Sequence, residues 1–213
     1  MSDLPLLPRP AADPDRVAVA RFLAATTAEG PGDRTAVWVQ GCTIHCAGCF
    51  NPHLWTFRGG HLTPADELAA RVLATDTTGL TLLGGEPFDQ AAALAKVAAA
   101  VQAAGRSVMT FTGYTTAQLD RAVATGRADV AALLAGTDLL VAGPFLADRL
   151  DPARPWVGST NQEFILLTGR FPHLLDDLAG TPDRVEVTVD PDGRVAVNGW
   201  ADLDTLDALL ADL

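Results

Sequence analysis

The chain has 213 residues, 48% of them hydrophobic, and a formal net charge of −11, with one lysine, Lys96, against fourteen arginines. That length and apolar content support one substantial core and a single domain over residues 1–213. The acidic balance, without any basic run, excludes nucleic acid and anionic membrane surfaces as expected partners.

Residues 1–16 carry four prolines and lack a basic start ahead of an apolar run, so no signal peptide is expected. No stretch nears the ~20 apolar residues that cross a bilayer, and the expected location is cytoplasmic. Residues 16–23 alternate as a strand does, 26–34 form a glycine and proline loop, and 35–40 read as a second strand running straight into Gly41. The next stretch, Gly41-Cys42-Thr43-Ile44-His45-Cys46-Ala47-Gly48-Cys49-Phe50-Asn51, holds all three cysteines of the chain within eight residues.

Thr63 followed by Pro64 reads as a helix start, a hydroxyl cap and then a proline whose missing N–H costs nothing there, with the helix running to about Ala74. Residues 79–83 are a short buried strand, followed at once by Gly84-Gly85-Glu86-Pro87. Residues 89–104 are alanine-rich and helix-favouring, stopped by Gly105, and 107–111 form a strand ending in Thr112-Gly113-Tyr114. Helices are expected over 116–124 and 129–135, each closed by a glycine. A strand over 138–141 then opens into a long loop over 143–162, and 163–168 follow as another strand.

The recurring order of strand, turn and helix predicts an α/β fold. Its expected form is an incomplete (β/α) barrel of mostly parallel strands over residues 16–169. Residues 183–213 make an extension: a C-terminal β-hairpin over 185–190 and 194–198 around Pro191-Asp192-Gly193, then a helix from about Asp202 to Leu213.

Three thiols on one loop make a soft donor set that selects iron–sulfur clusters, zinc or copper(I). A four-iron cluster normally takes four cysteines, so three leave one iron open to an outside ligand. The alternative is zinc, with His53 completing a Cys42, Cys46, Cys49, His53 site. Three unrelated cysteines are the third reading. Gly84-Gly85-Glu86-Pro87 taken alone marks only a tight turn, but one helix and one strand beyond the cysteine loop its backbone can approach a ligand on that iron without a Cβ in the way.

Cys42-x3-Cys46-x2-Cys49 resembles the signature of the radical S-adenosylmethionine (SAM) superfamily. With Asn51, Gly84-Gly85-Glu86-Pro87, Thr112-Gly113-Tyr114, Gly143-Pro144-Phe145 and Gly158-Ser159-Thr160-Asn161-Gln162 in this order, the chain is similar to the activating enzymes of anaerobic ribonucleotide reductase. Gly48 before the third cysteine and Phe50 after it fit that branch. The likeness runs from about Gly30 to Gly169.

The resemblance implies a [4Fe–4S] cluster on Cys42, Cys46 and Cys49, with SAM on the open iron. It also implies reductive cleavage of SAM to a 5′-deoxyadenosyl radical that abstracts a hydrogen atom. Gly84, Gly85 and Glu86 then support the methionine end of SAM, Thr112 and Asn161 are further SAM or substrate contacts, and no catalytic residue beyond the cluster ligands is expected. The implied partners are a glycyl-radical enzyme, or another protein or peptide substrate, and an electron donor such as flavodoxin or ferredoxin. A radical SAM tailoring enzyme acting on a peptide or small metabolite is the competing enzyme reading, and a zinc- or cluster-stabilised binding module the non-enzyme one.

Two features depart from the family pattern. Ala142 stands where these activases commonly have aspartate, which puts a partner contact in doubt, and the C-terminal hairpin is placed to cover part of the barrel mouth. His45, His61 and His173 read as loop or helix-flanking residues, Trp38 and Trp55 as core or as a shield for the metal, and Asp204, Asp207 and Asp212 as a solvated helix face.

Overall fold

The computed structural model describes residues 12–176, 178, 180–181, 185–189, 192–193 and 195–199. Seven strands form one sheet: β1 (Arg16–Thr26), β2 (Arg34–Val39), β3 (His61–Pro64), β4 (Gly79–Gly84), β5 (Ser107–Thr112), β6 (Leu139–Ala142) and β7 (Glu163–Leu166), in the order β3-β1-β2-β4-β5-β6-β7. The four central strands β2, β4, β5 and β6 run parallel, as expected where helices make the crossovers. At the flanks β1 pairs antiparallel with β2 and with β3, and β7 antiparallel with β6. The sheet is open, with β3 and β7 at its edges.

Helices α1 (Ala65–Leu73), α2 (Ala91–Ala103), α3 (Thr116–Ala124) and α4 (Ala128–Ala135) lie in the connections between the parallel strands. The main core joins them to one sheet face through Val37, Val39, Leu80, Leu82 and Val108. Alanines make α2 thin enough to nest among its neighbours: a Cβ on Gly136 at the end of α4 would stand 2.8 Å from that of Ala98. On the other face Met109, Leu139 and Val141 lie under Val157, and Ala36 and Trp38 under Leu54. Loop residues therefore replace helices there.

Three expectations shift. Thr63 is no helix cap: its hydroxyl donates to the His61 carbonyl at 3.2 Å, and α1 begins after Pro64 without a side-chain cap. The open edge of β1 takes residues 61–64 as a strand, because pairing free backbone groups outweighs a local capping preference. That also puts His61 in an edge strand. The long helix starts at Ala91, preceded by a 3₁₀ turn over Pro87–Gln90 that the Glu86 side chain caps by accepting from the Phe88 amide at 2.9 Å.

The hairpin forms as β8 (Val185–Val189) and β9 (Val195–Gly199), a separate two-stranded sheet. Its hydrogen bonds go to β1 and the turn after it. Glu186 accepts from the Thr26 hydroxyl, the Thr27 amide and the Thr27 hydroxyl at 2.6, 2.7 and 2.9 Å, and the Gly199 amide donates to Glu29 at 2.9 Å. Thr26 is paired with Arg34 at the start of β2, and the Val197 carbonyl accepts from Arg21, which is paired with Trp38 further along that strand. The expected terminal helix over 202–213, with Asp204, Asp207 and Asp212, lies outside the described residues.

Candidate functional site

Parallel strands all deliver their carboxyl ends to one edge, where α/β folds bind ligands. Here β2 delivers the cysteine loop, β4 the Gly84–Pro87 turn, β5 Thr112-Gly113-Tyr114, and β6 the loop from Gly143. All four sequence motifs therefore meet at one edge.

The cysteine loop is held at its base. The Gly41 amide donates to the Leu54 carbonyl at 2.9 Å and the Cys42 amide to that of Trp55 at 3.2 Å, so the returning segment clasps the first cysteine. All three cysteines are free of disulfides, Cys42 buried and the other two half-buried. The Ile44 amide points at the Cys42 sulfur and the Asn51 amide at the Cys49 sulfur, each at 3.4 Å. Burial pushes the Cys42 thiol up to about 11 and raises that of Cys46, with backbone amides opposing. Metal binding deprotonates such thiols outright.

This donor set fits a four-iron cluster: three free thiols on one loop, amides directed at two of the sulfurs, and no fourth cysteine to close the last iron. Among the described residues no three His, Cys, Asp or Glu side chains converge as a single ion requires. His53 is exposed, and its carbonyl accepts from Gln40 at 3.3 Å, so the four-ligand zinc set is not assembled. A four-iron cluster would accept the three thiols without their converging on one ion.

The turn after β4 is welded to the start of the cysteine loop. The Gly85 amide donates to the Val39 carbonyl and the Glu86 amide to that of Gly41, both at 2.8 Å. Gly84 has a φ of +109°, where a Cβ would stand 2.6 Å from the Val39 nitrogen. Only glycine suits that position.

Glu86 turns inward. It is 1% exposed, and its carboxylate accepts from the Thr112 hydroxyl and the Gly113 amide, each at 2.9 Å, as well as from Phe88. Burial, reinforced by Asp89, pushes its pKa up to about 8. Thr112 is buried with it. Asn161 lies on the loop after β6, where its amide donates to the Pro144 carbonyl at 2.8 Å and its buried Oδ1 has no partner among the described residues.

Sequence reasoning missed Asp89, Thr43 and Tyr114, which join three of these loops. The available signal was an acid directly after Pro87 and Phe88 at the start of an alanine-rich helix. His45 is exposed, with its ring stacked on Trp55 at 4.8 Å, and Trp38 lies in the core. At the outer rim Phe50, 58% exposed, sits 5.4 Å from Phe145. Gly48 lets the loop after β6 approach closely, since a Cβ there would stand 3.2 Å from that of Ala147.

The 4Fe-4S single cluster domain family matches residues 28–165. Over 144 residues the chain is 35% identical to the anaerobic ribonucleoside-triphosphate reductase-activating protein of Vibrio cholerae, covering 62% of this chain and 87% of that one. The proteins of the same description from Pasteurella multocida and Escherichia coli K12 are 36% and 32% identical, with 62% of this chain and 87% and 88% of theirs covered. Among solved structures, QueE from Escherichia coli overlaps 47% of this chain and 54% of its own, with 18% identity and a TM-score of 0.40. No helix among the described residues is long and apolar enough to cross a membrane.

Proposed function

This chain belongs to the 4Fe-4S single cluster domain family, with the anaerobic ribonucleoside-triphosphate reductase-activating proteins among its relatives, and on that ground we propose a radical SAM enzyme that activates a glycyl-radical protein. The observation that carries the reading is the convergence of four motif loops at the carboxyl edge of four adjacent parallel strands. Cys42, Cys46 and Cys49 would hold a [4Fe–4S] cluster, and three ligands from the chain would leave SAM to complete it. When bound, the cluster supplies the electron that cleaves SAM reductively.

The chain's own residues bind, orient and exclude water. Gly84, Gly85 and the backbone of Glu86 present polar groups without an intervening Cβ, which suits the methionine ammonium of SAM. The Glu86 carboxylate braces Thr112 and Gly113, and Thr112 contributes to the SAM pocket from within that brace. Asn161 offers its unpartnered Oδ1 as an acceptor to SAM or substrate. Phe50 and Phe145 shield the site from water at the rim, which strengthens electrostatic contacts inside it.

The substrate class is a backbone glycine on a protein loop, with reducing power from a flavodoxin- or ferredoxin-type donor. Two features that spoke for a tailoring enzyme lose their force. Ala142 is 1% exposed within the helix-side core, so the aspartate's absence removes nothing from a partner-facing surface. The hairpin hydrogen-bonds to Arg21, Thr26, Thr27 and Glu29, in β1 and the turn after it.

The test is anaerobic reconstitution with iron and sulfide, then SAM and a strong reductant, with 5′-deoxyadenosine as the readout. Adding a candidate glycyl-radical partner should produce the electron paramagnetic resonance (EPR) doublet of a glycine-centred radical. If 5′-deoxyadenosine forms but label arrives in it only from a deuterated peptide or metabolite, the tailoring reading replaces this one. If no nucleoside forms, the chain is a binding module.

A further inference from the structure

Asp89 is 4% exposed and stands on the same 3₁₀ turn that Glu86 caps. Its Oδ2 accepts from the Thr43 amide at 2.8 Å, and its Oδ1 accepts from the Thr43 hydroxyl at 3.0 Å and the Tyr114 hydroxyl at 2.9 Å. The two hydroxyl oxygens are themselves 2.6 Å apart, which closes a three-membered ring of polar groups. Thr43 directly follows Cys42, and Tyr114 ends the Thr112-Gly113-Tyr114 run after β5.

Glu86 grips that same run one residue earlier, through the Thr112 hydroxyl and the Gly113 amide. Between the two carboxylates the loops also touch directly: a Cβ on Gly113 would stand 2.6 Å from Ile44 Cδ1. Two acids three residues apart thus hold a joint between the cysteine loop and the loop after β5. A fold brace alone does not call for an ionisable group here, since burying one costs free energy unless specific partners are met. Its side-chain hydrogen bonds all go to the two loops that flank the cluster and SAM positions, while Arg127, ahead of α4, adds only an electrostatic attraction.

We propose that Asp89 is a positioning residue that locks the cysteine loop to the Thr112–Tyr114 loop through Thr43 and Tyr114, so that SAM binding on one loop sets the cluster geometry held by the other. The inference rests on the radical SAM reading above. It assigns Asp89, Thr43 and Tyr114 no contact with SAM. They act through Cys42 on one side and Thr112 and Gly113 on the other. Because the ring is a shared unit, its members do not contribute independently.

The experiment compares wild type, Asp89→Asn, Tyr114→Phe, Thr43→Val and Thr43→Ser after anaerobic reconstitution. Circular dichroism, iron content, SAM affinity and the EPR spectrum of the reduced cluster with and without SAM are measured on each. Expected are native dichroism and full iron in Tyr114→Phe and Thr43→Val. In both, SAM affinity falls roughly tenfold, as for a lost buried hydrogen bond, and the spectral change on adding SAM is diminished.

Asp89→Asn should show the same signature, the double variant Asp89→Asn with Tyr114→Phe should be no worse than Asp89→Asn alone, and Thr43→Ser should behave as wild type. Unchanged affinity and unchanged SAM-induced spectra in Tyr114→Phe and Thr43→Val overturn the proposal. So does loss of iron in proportion to loss of fold, which marks a brace and nothing more. A wild-type protein that holds no cluster, or whose cluster spectrum ignores SAM, instead overturns the radical SAM reading itself.

Discussion

The Gly41 carbonyl oxygen accepts the Glu86 amide at 2.8 Å, and a Cβ added to Gly85 would stand 2.1 Å from that same oxygen. The turn after β4 and the first residue of the cysteine loop are thus packed backbone to backbone. Any side chain at position 85 must separate them. Gly85→Ala should destabilise the protein by about 2 kcal/mol, as overpacking does, and should reduce SAM cleavage far more than that loss explains. Thermal melts and 5′-deoxyadenosine assays on the same preparation check both expectations. Wild-type turnover in a folded Gly85→Ala protein would show that the close approach has no bearing on the site.

Cys46→Ala separates cofactor from fold. The thiol is half-buried on a loop outside the main core, and a domain of this size folds without a metal staple. The variant should keep its dichroism spectrum, lose the visible absorbance of the cluster and cleave no SAM. Local unfolding on this substitution would instead point to a structural metal.

At the opposite edge of the sheet Arg34 is 0% exposed. Its guanidinium donates to the Thr81 hydroxyl at 2.7 Å, the Ser107 hydroxyl at 2.9 Å and the Leu80 carbonyl at 2.5 Å. Burial brings its pKa down to about 9, with Asp138 opposing, so it stays charged at neutral pH. Arg34→Ala removes the donor fork and leaves a cavity, and should cost about 3–5 kcal/mol in chemical denaturation. Arg34→Lys should recover only part of this, since an ammonium cannot reproduce the fork.

Glu29 gives stability a defined pH dependence. Burial raises its pKa to about 7, against the Gly199 amide bond and the attraction of Arg21. Between the ordinary carboxylate range and pH 7 the folded state binds a proton that the unfolded state has released. The contribution is therefore fully present below about pH 4.5 and is lost as pH rises to about 7. The unfolding free energy should fall across that interval by something on the order of 1–2 kcal/mol after allowing for partial exposure. Glu29→Gln should make this slope shallower and leave SAM cleavage unchanged, since Glu29 precedes β2 whereas the four loops follow their strands. Glu86, raised to about 8 by burial, adds its own decline from about pH 4.5 to about 8, which the Glu29→Gln protein should still display.

The site's local chemistry was legible in the sequence because it depends on spacing and on backbone permissiveness. Three thiols within eight residues, glycines ahead of Glu86, and alternation on both sides of Pro191-Asp192-Gly193 each state a preference that needs no distant partner. The central strands were legible for the same reason, their apolar runs and bounding glycines being local signals.

What the tertiary structure decided are relations between segments far apart in the chain. Residues 61–64 became a strand because the edge of β1 had free backbone groups to pair, which overrode the cap that Thr63 and Pro64 suggest. The hairpin docked on Thr26 and Glu29 because its Glu186 and Gly199 found partners there. Asp89 met Thr43 and Tyr114, 46 and 25 residues away, only once β2, β4 and β5 lay side by side. A sequence states each residue's donors, acceptors and apolar area. Which of them meet depends on chain pairing and on the burial that makes an unmet polar group costly.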